Sequence, residues 1–422
     1  MIKGEKIRFD IHKILISIYK FNKTLNSKSI REIIAKYKQS DVNLINNVTL
    51  NSMRYQYHVT KIINLYVKKK LRDQERILLL SAITQIVYLD FKDYAVINCS
   101  VEIAKKLKIY HGFVNATLKN ISKNKKKLTK IKIFYDDLPK WFIERTKNVS
   151  KIDKKKFIIN FNQESSLHIV FKNNIEMNNF EEEIIKTSDT SGFLISKKNP
   201  KDIESYNKGV WWIQDFASFF PLYNFDGNNK FDNYLDACAA PGGKAFQILS
   251  KKIKITLNDK SSSRIKILKS NLKRLKFEAK ILNEDFINFK FKERFDVIIL
   301  DAPCSSVGTI RKNPEIFFKN NEPDFRNLLH IQEEMLLKGS HLLKSNGIIL
   351  YMVCSFLKIE TDDQINKFLR KNNNFELYNF KLINGESKYS KLINDKCMKT
   401  LPTSFLNNNI DGYFAAFLKK NK

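Results

Sequence analysis

The run FDVIILD, residues 295–301, is the most constraining stretch of this chain. A strand can be apolar at nearly every position only where both faces are covered, as inside a parallel sheet flanked by helices. Its neighbours fit that reading. NYLDAC (233–238) reads as a strand entering a glycine turn, with KAFQILSKK as the helix after it. KITLND (254–259) reads as a second strand, followed by a Lys-rich helix over 261–276. AKILNEDF supplies another strand, a helix over 325–345 runs to a cap at Gly347, and the strand IILYMV delivers Cys354. This alternation predicts a doubly wound, Rossmann-like α/β domain with its ligands at the C-terminal ends of the strands.

One strand end looks built for a cofactor. In DACAAPGGK (236–244) the residues Pro241-Gly242-Gly243 let the backbone turn tightly and approach a ligand without side-chain interference. Asp259 ends the next strand, near the spacing of about 20 residues at which an acid meets vicinal ribose hydroxyls. GxGxxG is absent, which argues against NAD, and GxxxxGK[ST] is absent, which argues against a nucleoside triphosphate. A ribose acid without a phosphate cradle suits S-adenosylmethionine. Asp285, ending ILNED, stands where an acid can meet the adenine amino group, although alone it reads equally well as a surface turn.

Two further strand ends carry thiols, Cys304 in DAPCSS and Cys354 in LYMVCSF. Most free cysteines are small buried hydrophobes. Two after consecutive expected strands, both toward the cofactor edge, favour thiol chemistry instead. Carbon 5 of cytosine is a poor nucleophile, and thiolate addition at carbon 6 activates it toward a sulfonium methyl. A carboxyl at the pyrimidine edge assists as charge develops, and Asp301 supplies one. Spacing does not decide which cysteine attacks.

The five cysteines are widely spaced without CxxC, and the six histidines are scattered. That pattern predicts reduced thiols, a cytoplasmic setting and no metal. The N-terminus carries charges throughout and reads as lacking a signal peptide, and no apolar run nears the roughly 18 residues of a membrane span. Lys and Arg number 75 against 44 Asp and Glu, a net +31. An excess of that size favours a polyanion through counterion release, without separating RNA from DNA or an acidic membrane.

Residues 1–127 read as a basic helical domain, 128–210 as a small mixed α/β module, and 211–422 as the catalytic domain. In the first, QERILLLSAITQIVYLD and VEIAKKLKIY show helical periodicity, and YAVINCSVEIAKK followed by FVNATLKNI resembles the NusB family of RNA-binding domains. In the module, 137–148 reads as a helix, with short strands within 165–172 and 191–198.

LDACAAPGGK, LDAPCSSVGTIRKNPEI and LYMVCSF, in this order, resemble the Sun family of RNA cytosine carbon-5 methyltransferases. The resemblance implies a class I methyltransferase fold, S-adenosylmethionine as methyl donor, and a monomer acting on naked or partly assembled 16S ribosomal RNA. It implies Cys354 as nucleophile, Cys304 in adduct breakdown and Asp301 at the base edge. The cofactor would meet Cys238, Ala239, Ala240, Pro241, Gly242, Gly243, Lys244, Asp259, Asp285 and Asp301, with Cys238 serving through backbone and packing. Arg311 and Lys312 match a basic pair expected on RNA. The chain departs from the family pattern at Met352-Val353, before the second cysteine, and at Phe216, where a small residue is usual. Two rivals remain: the same reaction on another RNA such as transfer RNA, and a non-catalytic NusB-like RNA-binding factor.

Overall fold

The computed structural model describes residues 3–421 except 197, 226, 228–229, 380–381, 383–386 and 395. The chain divides into two compact units, Met1–Asn162 with Ile310–Pro323, and Gln163–Thr309 with Asp324–Lys422.

The first unit is helical: α1 (Lys3–Phe21), α2 (Lys28–Ile34), α3 (Gln39–Arg54), α4 (Gln56–Tyr66), α5 (Asp73–Val87), α6 (Asp93–Lys106), α7 (His111–Lys123), α8 (Lys125–Leu128), α9 (Lys140–Arg145) and α10 (Lys151–Asn160). In α5 the run Ile77 to Val87 is buried on all sides, so this helix forms the centre of the bundle. The other helices turn one apolar face toward it, with Ile11, Ile14, Val48, Val96 and Leu118 in the shared core. Glu75 closes the N-terminus of α5 by accepting the Arg72 backbone N–H at 2.9 Å.

Residues 310–323 belong to this unit although they follow DAPCSS in sequence. Their short helix Glu315–Phe318 places Phe318 in the bundle core and Phe317 edge-on to Phe142, 4.7 Å between centroids. The module expected over 128–210 is likewise divided. In α9 and α10 Phe142, Phe157 and Phe161 pack together within the helical unit, while the remainder joins the second unit with a small core of its own around Ile169, Phe171, Met177, Leu194 and Ile203.

The second unit opens with a small antiparallel sheet ordered β2-β3-β1-β4, from β1 (His168–Phe171), β2 (Ile184–Ser188), β3 (Ser191–Leu194) and β4 (Trp211–Ile213). Its inner face shares a core with Phe216, Phe219 and Phe220 of the helix Phe216–Tyr223. The main sheet comprises β5 (Asn233–Asp236), β6 (Lys254–Asn258), β7 (Lys280–Leu282), β8 (Phe295–Asp301) and β9 (Leu343–Val353), followed by β10 (Phe375–Tyr378), β11 (Ile393–Asn394), β12 (Cys397–Thr400), β13 (Ser404–Phe405), β14 (Asn408–Asn409) and β15 (Tyr413–Lys420), of which β13 and β14 form a separate pair. The order is β7-β6-β5-β8-β9-β15-β12-β11, with β10 pairing on β15. Strands β5 to β9 are parallel, and β15 runs antiparallel beside β9. From β5 the chain winds outward to β7, then returns to β8 on the other side. The ends of β5 and β8 therefore flank the switch point where open α/β sheets bind ligands.

Candidate active site

Asp236, Asp301 and Cys354 stand at or just beyond the ends of the three central parallel strands. At the end of β5, Gly242 adopts φ +119°, and a Cβ there would lie 2.0 Å from the Phe246 ring. Only glycine serves both demands. Asp259, just past β6, is buried and accepts the Ala240 backbone N–H at 3.2 Å and the Ser261 N–H at 2.9 Å, with Arg264 at 3.3 Å. It thus ties the glycine turn to the following helix. Asp285 pairs with Lys260 at 2.7 Å, and this hydrogen bond holds its carboxyl below the usual range. The Cys238 thiol is pushed up by burial, in keeping with a packing role.

One buried atom beside the glycine turn fits a donor-bearing ligand such as S-adenosylmethionine. Asp236 is 1% exposed; its Oδ1 accepts the Cys238 N–H at 3.2 Å, while its Oδ2 has no partner among the described residues. A buried carboxylate oxygen left over beside a side-chain-free turn fits a ligand bearing donors. Burial chiefly, opposed by Lys244 and reinforced by Asp301, pushes the Asp236 carboxyl up to about 7. The folded pKa lies above the unfolded one. The stability lost to ionisation is therefore absent near pH 4, grows through pH 7, and is complete above it. Asp236→Asn should raise Tm by several degrees at pH 8, lifting a penalty on the order of a few kcal/mol, with the gain vanishing near pH 4. Calorimetric affinity for S-adenosylmethionine should fall in the same variant. An unchanged Tm difference across that pH range would refute the account.

At the end of β8, the Lys244 ammonium donates to Asp301 Oδ2 at 2.6 Å, and the Tyr413 hydroxyl donates to Oδ1 at 3.1 Å. Burial alone would lower the Lys244 ammonium, but Asp301 beside it, with Asp236 and Cys354, holds it above its ordinary value. Lys244 thus links the glycine turn to the end of β8. Tyr413, from β15, was not anticipated.

The two thiols meet. Cys304 Sγ lies 3.3 Å from Cys354 Sγ, and Cys354 Sγ lies 3.3 Å from Ser306 Oγ. The Cys304 thiol is pushed well up, first by its hydrogen bond to Cys354, then by burial and by the charges of Cys354 and Glu360. The surroundings of the pair are unequal: an ammonium, Lys244, is coupled to Cys354, whereas a buried carboxylate is coupled to Cys304. That asymmetry sets the two sulfurs apart, with the carboxylate helping to hold the proton on Cys304. The loop is held close behind: Gly308 donates to the Cys354 carbonyl at 3.1 Å, and a Cβ on Gly308 would fall 1.8 Å from the Gly412 carbonyl oxygen.

Both departures from the expected pattern are accommodated. Met352 and Val353 lie fully buried in β9, Met352 paired with Asp301 and Ala415. Phe216 fills an aromatic core, stacked on Phe405 with centroids 4.7 Å apart. Arg311 and Lys312 differ in exposure. Arg311 is 1% exposed and lies in the helical unit, where its carbonyl accepts the Arg54 guanidinium at 3.0 Å. Lys312 is exposed. Among the described residues no group of three His, Cys, Asp or Glu could hold a metal, and no helix is long and apolar enough to cross a membrane.

Comparison with known proteins agrees with this geometry. Residues 226–419 match the family described as 16S rRNA methyltransferase RsmB/F, and residues 10–123 match the NusB family. The chain carries a methyltransferase domain of the RsmB/F family over residues 226–419. Its first helices form a NusB domain, and the reaction class of the family is S-adenosylmethionine-dependent RNA methylation. Ribosomal RNA small subunit methyltransferase B of Pasteurella multocida is 27% identical, over 97% of this chain and 94% of that protein. A probable ribosomal RNA small subunit methyltransferase B of Coxiella burnetii is 24% identical over 95% and 97%. Among solved structures, PH0851 superposes with a TM-score of 0.72 at 22% identity, covering 100% of this chain and 99% of that one. NSun6 from Pyrococcus horikoshii, solved with SFG, gives 0.55 at 16% identity over 67% of this chain and 98% of that one. At these identities the two structures speak for the fold alone.

Proposed function

We propose that this chain transfers a methyl group to carbon 5 of a cytosine in 16S ribosomal RNA, with Cys354 as nucleophile. The observation that carries the reading is the 3.3 Å approach of Cys304 and Cys354 in surroundings of opposite charge. S-adenosylmethionine, when bound, supplies an electrophilic methyl. The glycine turn Cys238 to Lys244, with Asp259 and Asp285, is assigned to hold it, and Asp301 to face the base.

The Cys354 thiolate adds to carbon 6, and Asp301 with Lys244 meets the charge that develops on the ring. Carbon 5 takes the methyl. Loss of the carbon-5 proton to a base then re-forms the double bond, and the carbon 6–sulfur electron pair returns to Cys354. Cys304 supports that departure by donating its S–H to the leaving sulfur. The thiolate needs access perpendicular to the ring, so the base must be unpaired or flipped out.

The NusB domain and the +31 charge favour RNA as partner, with Lys312 a candidate phosphate contact. Substrate identity follows the relatives named for the small ribosomal subunit; a cytoplasmic, monomeric enzyme acting before assembly is complete is the corresponding reading. The test incubates the chain with labelled S-adenosylmethionine and naked 16S rRNA, assembled small subunits or transfer RNA, followed by bisulfite sequencing. One protected cytosine in naked 16S rRNA is expected. Methylation of transfer RNA alone, or at an atom other than carbon 5, would overturn the assignment.

A further inference from the structure

Neither thiol loop is held in place by the sheet alone. Cys354 directly follows β9, whose ladder with β8 and β15 runs to Met352 and Val353. Cys304 lies three residues beyond β8, past the end of its ladder. What spans the two loops is Glu360, fully buried at 0% exposure, in a short 3-10 turn at Lys358–Glu360.

Its carboxylate accepts from the residue after each cysteine. Ser305 donates its backbone N–H to Oε1 at 2.7 Å and its hydroxyl to Oε2 at 2.5 Å, and Ser355 donates its hydroxyl to Oε2 at 2.6 Å. The turn that carries it is anchored from behind, since the Tyr351 hydroxyl donates to the Glu360 carbonyl at 2.9 Å and lies 3.1 Å from Gln332 Oε1, the alternative acceptor for its one proton. Gln332 in turn donates to the Pro303 carbonyl at 3.0 Å, just before Cys304. Among the described residues no cation pairs with Glu360, and the role left to so deeply buried an acceptor is geometric.

We infer that Glu360 is a positioning residue whose two oxygens set the distance between the Cys304 and Cys354 sulfurs. The inference rests on the proposed thiol mechanism. Of the four bonds the carboxylate accepts, Ser305 brings two, Ser355 one and Gln332 one at 3.4 Å; Ser305 also sits on the loop with less sheet support, so loss of the clamp releases Cys304 more than Cys354. Attack by Cys354 then continues, whereas adduct breakdown, which needs Cys304 beside it, falters.

The experiment compares wild type, Glu360→Ala, Glu360→Gln, Ser305→Ala and Ser355→Ala with S-adenosylmethionine and a 16S rRNA transcript. It reads turnover, S-adenosylmethionine affinity, and the share of RNA that stays bound to protein on denaturing gels. In Glu360→Ala, kcat should fall at least about tenfold, affinity should stay within about twofold, and the adduct share should rise at least about fivefold. Glu360→Gln should restore the wild-type partition, because its amide oxygen can accept the Ser305 N–H and its NH2 can meet both hydroxyls. Ser305→Ala should raise the adduct share and Ser355→Ala should not. A wild-type partition in Glu360→Ala, or equal damage in the Ala and Gln variants, overturns the inference. Should Glu360→Ala fail to fold, Ser305→Ala decides: a wild-type partition there overturns it equally. A wild type that forms no 5-methylcytosine faults the functional reading instead.

Discussion

Cys354→Ala should lose methyl transfer by at least about 1000-fold, some 4 kcal/mol of transition-state stabilisation, and should form no RNA adduct. The size of the loss follows from the chemistry: without sulfur at carbon 6, carbon 5 stays an unactivated ring position, and no other thiolate takes its place. Cys304 is 3.3 Å away, but its proton is held by Cys354, by burial and by the nearby Glu360 charge. Removing Cys354 withdraws the first of these causes, yet burial and the Glu360 carboxylate remain. Affinity for S-adenosylmethionine, measured by calorimetry, should stay within about twofold, because the glycine turn, Asp259 and Asp285 are untouched. A variant that turns over normally, or that still yields an adduct at Cys304, would reverse the assignment of the two cysteines.

The parts of this site that could be read from sequence are those fixed by local rules. FDVIILD had to be an interior parallel strand, and its end had to carry Asp301 to the sheet's binding edge. Gly242 was legible because only glycine tolerates its backbone angle beside Phe246. Glu360 was not. In LKIETDD it reads as one acid of a solvated turn, and only the order β8-β9 puts that turn beneath both thiol loops. Tyr413 was missed for a similar reason, since nothing local shows that the last strand returns antiparallel next to β9. Arg311 is buried, although a basic pair after a polar loop looks solvated. The signal for that burial lies just beyond, where Ile316, Phe317 and Phe318 are too apolar for a free loop and bury in the structure.

Cys304→Ala should separate methyl transfer from turnover. Cys354 keeps Lys244 in its surroundings and loses a hydrogen-bond donor, so its attack on carbon 6 and the methyl transfer that follows should proceed. Release is another matter. Once Cys354 is bonded to carbon 6, it no longer holds the Cys304 proton, and the freed S–H can meet the sulfur as it departs. An alanine methyl there offers no donor. The expected time course is one equivalent of methylation per enzyme followed by a stall, with turnover reduced at least about 100-fold. The stalled species should appear on a denaturing gel as a protein–RNA band that carries both label from S-adenosylmethionine and the RNA, and Cys354→Ala placed on top should abolish it. Free, methylated RNA and steady turnover in Cys304→Ala would show that the second sulfur, for all its closeness, takes no part in letting the product go.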